Sequence, residues 1–179
     1  MNLHKPLLPQ GAVMARPATP IKVYASLTLA FTLTLLPWVE QYRWLVPDFT
    51  LMALLFWNIR APRLAGLGAA FTLGLITDVA RGVLIGLNAL AYCTATFVVL
   101  LVQRRLEGFD APRQTLQLAP ILLGKEFLVL AIGLAIGRGA VDWRWLASGL
   151  VATLLWPPLA RLFDHVTNQG MASHSSIHR

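Results

Sequence analysis

Apolar residues in this chain gather into six blocks of near-bilayer length, at residues 21–39, 49–59, 64–77, 83–102, 116–136 and 145–163. A helical span needs about 20 such residues. The first, fourth, fifth and sixth blocks come close to that, while the second and third are nearer 14. Charged residues make up only 13% of the 179 positions, about half the roughly 25% of a soluble domain. These features exclude a soluble enzyme, a disordered tail protein and a disulfide-built secreted domain. Six spans and their loops also leave no length for a separate catalytic domain. The expected fold is an all-α integral membrane protein, a compact six-helix transmembrane bundle.

The segments between the blocks fix an orientation. Residues 1–20 hold four prolines with Lys5 and Arg16 and predict a flexible basic arm, with Met14 as an alternative start to Met1. No small-residue cleavage site follows the first block, which is therefore expected to be an uncleaved anchor. Arg60 and Arg63 separate the two short blocks. A re-entrant hairpin would bury both arginines, at a cost of at least about 2.5 kcal/mol each at the bilayer centre. Two thin crossings that let them snorkel at a shared end are favoured. Six crossings put both termini in the cytoplasm. The inner segments then hold Lys5, Arg16, Lys22, Arg60, Arg63, Arg104, Arg105, Arg113, Arg161 and Arg179, against Arg43, Arg81, Arg138 and Arg144 outside, as the positive-inside rule requires. Trp38, Trp44, Trp143 and Trp145 fall at the outer interface, and residues 164–179 form a polar tail expected to be disordered.

Membrane helices pack through small residues and a few polar ties. Ser26, Ala30 and Thr34 lie four apart in block one, and Gly66, Ala70, Gly74 and Asp78 in block three. Gly82 and Gly86 open block four, and Gly133 and Gly137 close block five. Such stripes predict internal packing or docking of a partner helix. Asp48 follows Pro47, a pairing suited to a helix first turn, where a carboxylate meets the positive end of the dipole. Asp78 falls at a helix C-terminus and calls for a cation. Arg81 is the expected partner in an ion pair at the outer rim, with Arg43 or Arg138 as others and a partner protein as the second role. Lys125 and Glu126 are the charged pair set deep in a span, where ionisable groups face the interior or a cavity. Being about 100° apart around a helix, they are expected to reach different neighbours, as a polar tie, a ligand site or a proton relay.

Nothing in the chain forms a catalytic constellation. His4, His165, His174 and His178 lie in tails or at a membrane edge, and Cys93 sits in an apolar run as a small hydrophobe. There is no nucleophilic serine context, no phosphate-binding loop and no carboxylate pair on one face. Neither an enzyme nor a cofactor nor a bound metal is expected. The net charge of +7 is scattered between apolar blocks, so it does not form a nucleic-acid surface.

The order of features nevertheless resembles a known family. Leu36-Pro37-Trp38 is followed by Pro47-Asp48-Phe49, then Phe56-Trp57-Asn58 and Arg60-Ala61-Pro62-Arg63. Gly66-Leu67-Gly68 and Gly74-Leu75-Ile76-Thr77-Asp78 come next, then Gly82, Leu84, Gly86, Ala89 and Leu90-Ala91-Tyr92. Gln114-Thr115-Leu116 and Leu155-Trp156-Pro157 close the series. This pattern is similar to MreD, the multi-pass rod shape-determining membrane protein of bacteria. The matching residues are Pro47, Asp48, Trp57, Pro62, Gly74, Asp78, Gly82, Gly86, Trp156 and Pro157, as partner-binding or structural positions. The resemblance implies a non-enzymatic member of the cell-elongation machinery in the cytoplasmic membrane. Its implied partners are MreC, MreB, a RodA-type polymerase, a class B penicillin-binding protein and membrane lipids. The implied fold is similar to the six-helix substrate-binding subunits of energy-coupling vitamin importers. The alternative function is a small-molecule or lipid-binding component of a transport system, with Lys125 and Glu126 lining a pocket.

Overall fold

The computed structural model describes residues 19–137 and 143–169. The basic arm, Arg138 and the end of the tail lie outside the described residues. Six α-helices and two short 3-10 turns make up the described chain, which contains no strand. The helices are α1 (Pro20–Leu35), α2 (Phe49–Arg60), α3 (Leu67–Arg81), α4 (Leu87–Glu107), α5 (Ala111–Ala135) and α6 (Leu146–Gln169). The 3-10 turns, Glu40–Leu45 and Trp143–Trp145, precede α2 and α6.

Proline and glycine set most of the boundaries. Pro20 starts α1, where its missing N–H is no loss, and Leu36, extended ahead of Pro37, stops it. Asp48 caps α2 by accepting from Leu51 N at 3.1 Å. Gly82 ends α3 in the left-handed region (φ 61°), and Gly86 precedes α4 at φ 98°. These two glycines are therefore turn residues and not the opening of a packing stripe. Gly137 likewise turns the chain after α5 at φ 71°, and a side chain at Gly133 would meet nothing described within 4 Å.

Several helices run beyond their apolar blocks. α4 starts four residues later than its block and continues through Gln103, Arg104 and Arg105 to Glu107. α5 starts at Ala111, behind Asp110 and with Pro112 in its first turn, five residues ahead of its apolar block. α6 continues through Gln169, taking in Asp164 and His165. In each case hydropathy falls before helical hydrogen bonding does, because a helix leaving the bilayer keeps its own backbone bonds.

α2 is the hub of the bundle. Every residue from 50 to 59 is buried, enclosed by α1, α4, α6 and α3. At 12 residues it is about 18 Å long. A helix so short is tolerated at membrane depth because protein surrounds it. α4, α5 and α6 with its preceding turn are each long and apolar enough to cross a bilayer. The outer surface presents Ile21, Leu29, Leu101, Leu116, Phe127 and Leu154 at half exposure or more. Twelve polar or charged residues are buried instead, among them Asn58, Thr96 and Gln114. An apolar exterior, three helices of spanning length and a core that encloses charged groups together make this a membrane protein.

Two of the small-residue stripes pack internally. On α1, Ser26 accepts from the Trp57 indole at 2.7 Å, Ala30 is buried, and Thr34 accepts from Thr50 N and Thr50 Oγ1 at 3.0 and 2.9 Å. On α3, Ala70 and Gly74 are buried against α4, and a Cβ on Gly74 would overlap Ala89 Cα. Gly74→Ala should therefore lower the thermal midpoint in detergent, by an amount equivalent to about 1–3 kcal/mol of overpacking. Gly68→Ala, in the same helix with open space around it, should leave the midpoint unchanged or raised. Equal effects would mean that α3 and α4 are not in close contact.

Candidate functional site

The buried charges meet near the N-terminus of α2. Asp48 Oδ2 accepts from the Tyr92 hydroxyl of α4 at 2.7 Å and pairs with Lys125 Nζ of α5 at 3.1 Å. Lys125 Nζ also reaches Glu126 Oε1 at 3.0 Å, and Glu126 Oε1 accepts from Ser148 Oγ of α6 at 2.7 Å. Arg81, at the end of α3, lies within electrostatic reach of both Asp48 and Glu126. Two carboxylates therefore face two cations, and five helices contribute to one network. Asp48 does more than cap α2: one oxygen serves the helix start and the other ties α2 to α4 and α5.

Lys125 and Glu126 reach different neighbours, Asp48 and Ser148, and in addition bond each other. The inward face of α5 runs through Gln114, Leu118 and Leu122. Positions 125 and 126 flank that stripe, about 20° to one side of its centre and about 80° to the other. Long side chains on both flanks converge over it.

Asp78 forms a second buried node. It is fully enclosed and accepts from Gly86 N at 2.9 Å, Asn88 N at 2.8 Å, Asn88 Nδ2 at 2.9 Å and Ala89 N at 3.3 Å. Its hydrogen-bond donors are the first amides of α4 and the Asn88 side chain, and Arg81 lies within electrostatic reach of it. The turn through Gly82 and Gly86 folds α4 back so that its positive end meets the carboxylate.

The remaining positions singled out from the sequence are spread through the bundle. Trp57 and Trp156 are core residues. Pro62 lies in the α2–α3 turn, its carbonyl against Gly66. Pro157 and Pro158 lie within α6. Pro47 is buried ahead of α2. Tyr92 and Ser148 belong to the charge network although nothing in their local sequence marks them as polar ties.

The two ends of the bundle differ. At one end, Arg60 pairs with Asp164 at 2.9 Å across the ends of α2 and α6. Gln103 donates to the Ile59 carbonyl there, and Gln114 donates to the carbonyls of Leu106 and Phe109. Arg60, Arg63, Arg104, Arg105, Arg113 and Arg161 belong to these helix ends. The Arg60–Asp164 bridge is over a third exposed and contributes at most about 1 kcal/mol. At the other end, the two 3-10 turns meet each other and α6, gathering Trp38, Trp44, Trp143 and Trp145. Among the described residues no group of three potential ligands is placed to hold a metal ion.

Fold and site together define a helical membrane protein in which polar chemistry is turned inward to join helices. The comparisons with known proteins make this more specific. The family model for rod shape-determining protein MreD matches residues 18–166, and the chain belongs to that family. It is 25% identical over 129 residues to the rod shape-determining protein MreD of Haemophilus influenzae, covering 72% of this chain and 80% of that one. No solved structure matches. Family membership places the chain in rod shape determination.

Proposed function

We propose that the chain is a non-enzymatic scaffold of the cell-elongation machinery in the bacterial inner membrane, holding MreC and the MreB filament in register with a RodA-type polymerase and a class B penicillin-binding protein. Family membership is the observation that carries this. The charge network supports it: Lys125 and Glu126 are buried and bonded to one another and to Asp48 and Ser148, an arrangement that ties helices together. The bundle crosses the membrane six times with both termini cytoplasmic. The arginine-rich end faces the filament and anionic lipid, and the tryptophan end with its 3-10 turns faces the periplasmic partner. The six-helix form is in keeping with a likeness to the substrate-binding subunits of vitamin importers.

Depleting the protein in a rod-shaped host tests the function. Cells should round while the wall polymerases remain present and active on supplied substrate. Loss of polymerase activity itself would point to a catalytic or transport role. Orientation is checked by a reporter that fluoresces only in the cytoplasm. Inserted after Glu107 it should be bright; after Gly139, outside the described residues, it should be dark. The reverse pattern would invert the bundle.

A further inference from the structure

From the outward face of α5, we infer that the chain pairs with a second copy of itself, through reciprocal hydrogen bonds from Gln117 to the Leu116 carbonyl. This goes beyond the scaffold proposed above and rests on the membrane setting alone. Leu116 is 80% exposed and Phe127 60%, and Pro120 and Gly124 between them are exposed as well.

Two groups on this face want partners that lipid does not supply. Pro120 lies inside α5 and has no N–H, so the Leu116 carbonyl four residues earlier loses its helical donor. The neighbouring Thr115 hydroxyl is spent on the Ala111 carbonyl. Gln117 is half-buried, and its amide makes no hydrogen bond among the described residues. Gln103 and Gln114, by contrast, both donate to carbonyls of the bundle. Gln117 stands six residues, about 9 Å, along α5 from its start. Hydrocarbon offers neither a donor nor an acceptor, and glutamine bonds readily across membrane helices.

Three observations select a second copy as the occupant. The first is complementarity. One face carries both the donor and the acceptor, on adjacent residues whose depths differ by about 1.5 Å. Copies inserted in one membrane share their orientation, so the donor of each stands at the depth of the other's acceptor. The second is symmetry. Around the helix, Leu116 and Gln117 lie on opposite sides of the line midway between Pro120 and Gly124, about 60° and 40° from it. A two-fold axis facing that line sets each glutamine against the other copy's carbonyl, an isologous contact. The third is closeness. A Cβ on Gly124 would meet nothing described within 4 Å, so the bundle itself does not require glycine there, as it does at Gly74. Glycine weakens a helix, and here it bares the backbone toward the membrane. Ala131, on the same line, keeps the approach narrow. Arg113 continues the line one turn toward the start of α5, where two guanidinium groups spread into the headgroups.

Cross-linking and energy transfer on the full-length chain test this. In a Cys93→Ala background, Ala131→Cys should give a disulfide-linked homodimer in native membranes under mild oxidation. Leu154→Cys, at a position 77% exposed on α6, should stay monomeric. Energy transfer between labelled copies diluted in phosphatidylcholine vesicles should show self-association about tenfold weaker in Gln117→Leu, for two symmetric bonds lost. Pro120→Ala returns an N–H to the Leu116 carbonyl and should weaken it to a similar degree. Neither position is in the core, so an unchanged thermal midpoint separates lost pairing from lost folding. Equal cross-linking at 131 and 154, or self-association unchanged in Gln117→Leu or in Pro120→Ala, would overturn the inference. So would adducts of Ala131→Cys with other proteins in place of a homodimer, which would assign the face to a different partner helix.

Discussion

Lys125→Ala is expected to be the most damaging single substitution in the bundle. Lys125 is 6% exposed and is the cation in contact with both Asp48 and Glu126. Its removal leaves two buried carboxylates with Arg81 alone to balance them, and breaking a buried pair from one side costs about 3–5 kcal/mol. The thermal midpoint in detergent should collapse, and the protein should fail to accumulate in cells. The sign of the compensation makes the test specific. Combining Lys125→Met with Glu126→Gln removes one charge of each sign and leaves Asp48 to Arg81, and should restore much of the midpoint that Lys125→Met alone loses. If the double variant were as unstable as the sum of its parts, the two residues would be acting separately and the network would not exist.

Asp78→Ala should follow closely. The carboxylate accepts four hydrogen bonds at the start of α4. Losing a helix cap costs about 1 kcal/mol, and each buried donor left unsatisfied adds about 1–3 kcal/mol. With one of the released donors left without a new partner, the total is about 2–4 kcal/mol. Asp78→Asn keeps one accepting oxygen but turns an amide N–H₂ toward backbone donors, so it should lose part of that amount. Because Asp78 is fully enclosed, its variants should lose protein abundance and co-purification of MreC in the same proportion. Loss of MreC with abundance intact would place Asp78 in the partner contact instead.

Helix number and most helix starts were legible in the sequence because they follow from local rules. Pro47-Asp48 acts within a few residues of itself, and Asp48 was identifiable as a cap for the same reason. Helix ends were less legible where hydropathy and hydrogen bonding part company, as at 103–107 and 164–169. The charge network was only half visible. Lys125 and Glu126 stand out by being charged inside an apolar block, and so were found. Tyr92 and Ser148 are unexceptional in a membrane helix and join the network only through contacts between distant segments. For Asp78 the sequence spacing points to Arg81, which the structure keeps within electrostatic reach, but not to the α4 amides, because the backbone turn that delivers them depends on two glycines in the left-handed region. The apolar stripe of α5 was readable, yet its consequence was not. Two residues flanking a stripe converge when their side chains are long and a neighbour, here Asp48, draws one of them in.

The enclosure of α2 has a consequence for biogenesis. The helix enters the membrane second, but α4, which contributes Tyr92, α5, which contributes Lys125, and α6, which completes its wall, are all synthesised after it. During translation Asp48 and the buried face of α2 therefore lack their partners until the last third of the chain arrives. A ribosome stalled before α5 would leave a product with an orphan carboxylate and an uncovered hub, the kind of species that membrane proteases remove. Abundance of this protein is thereby tied to completion of its own synthesis.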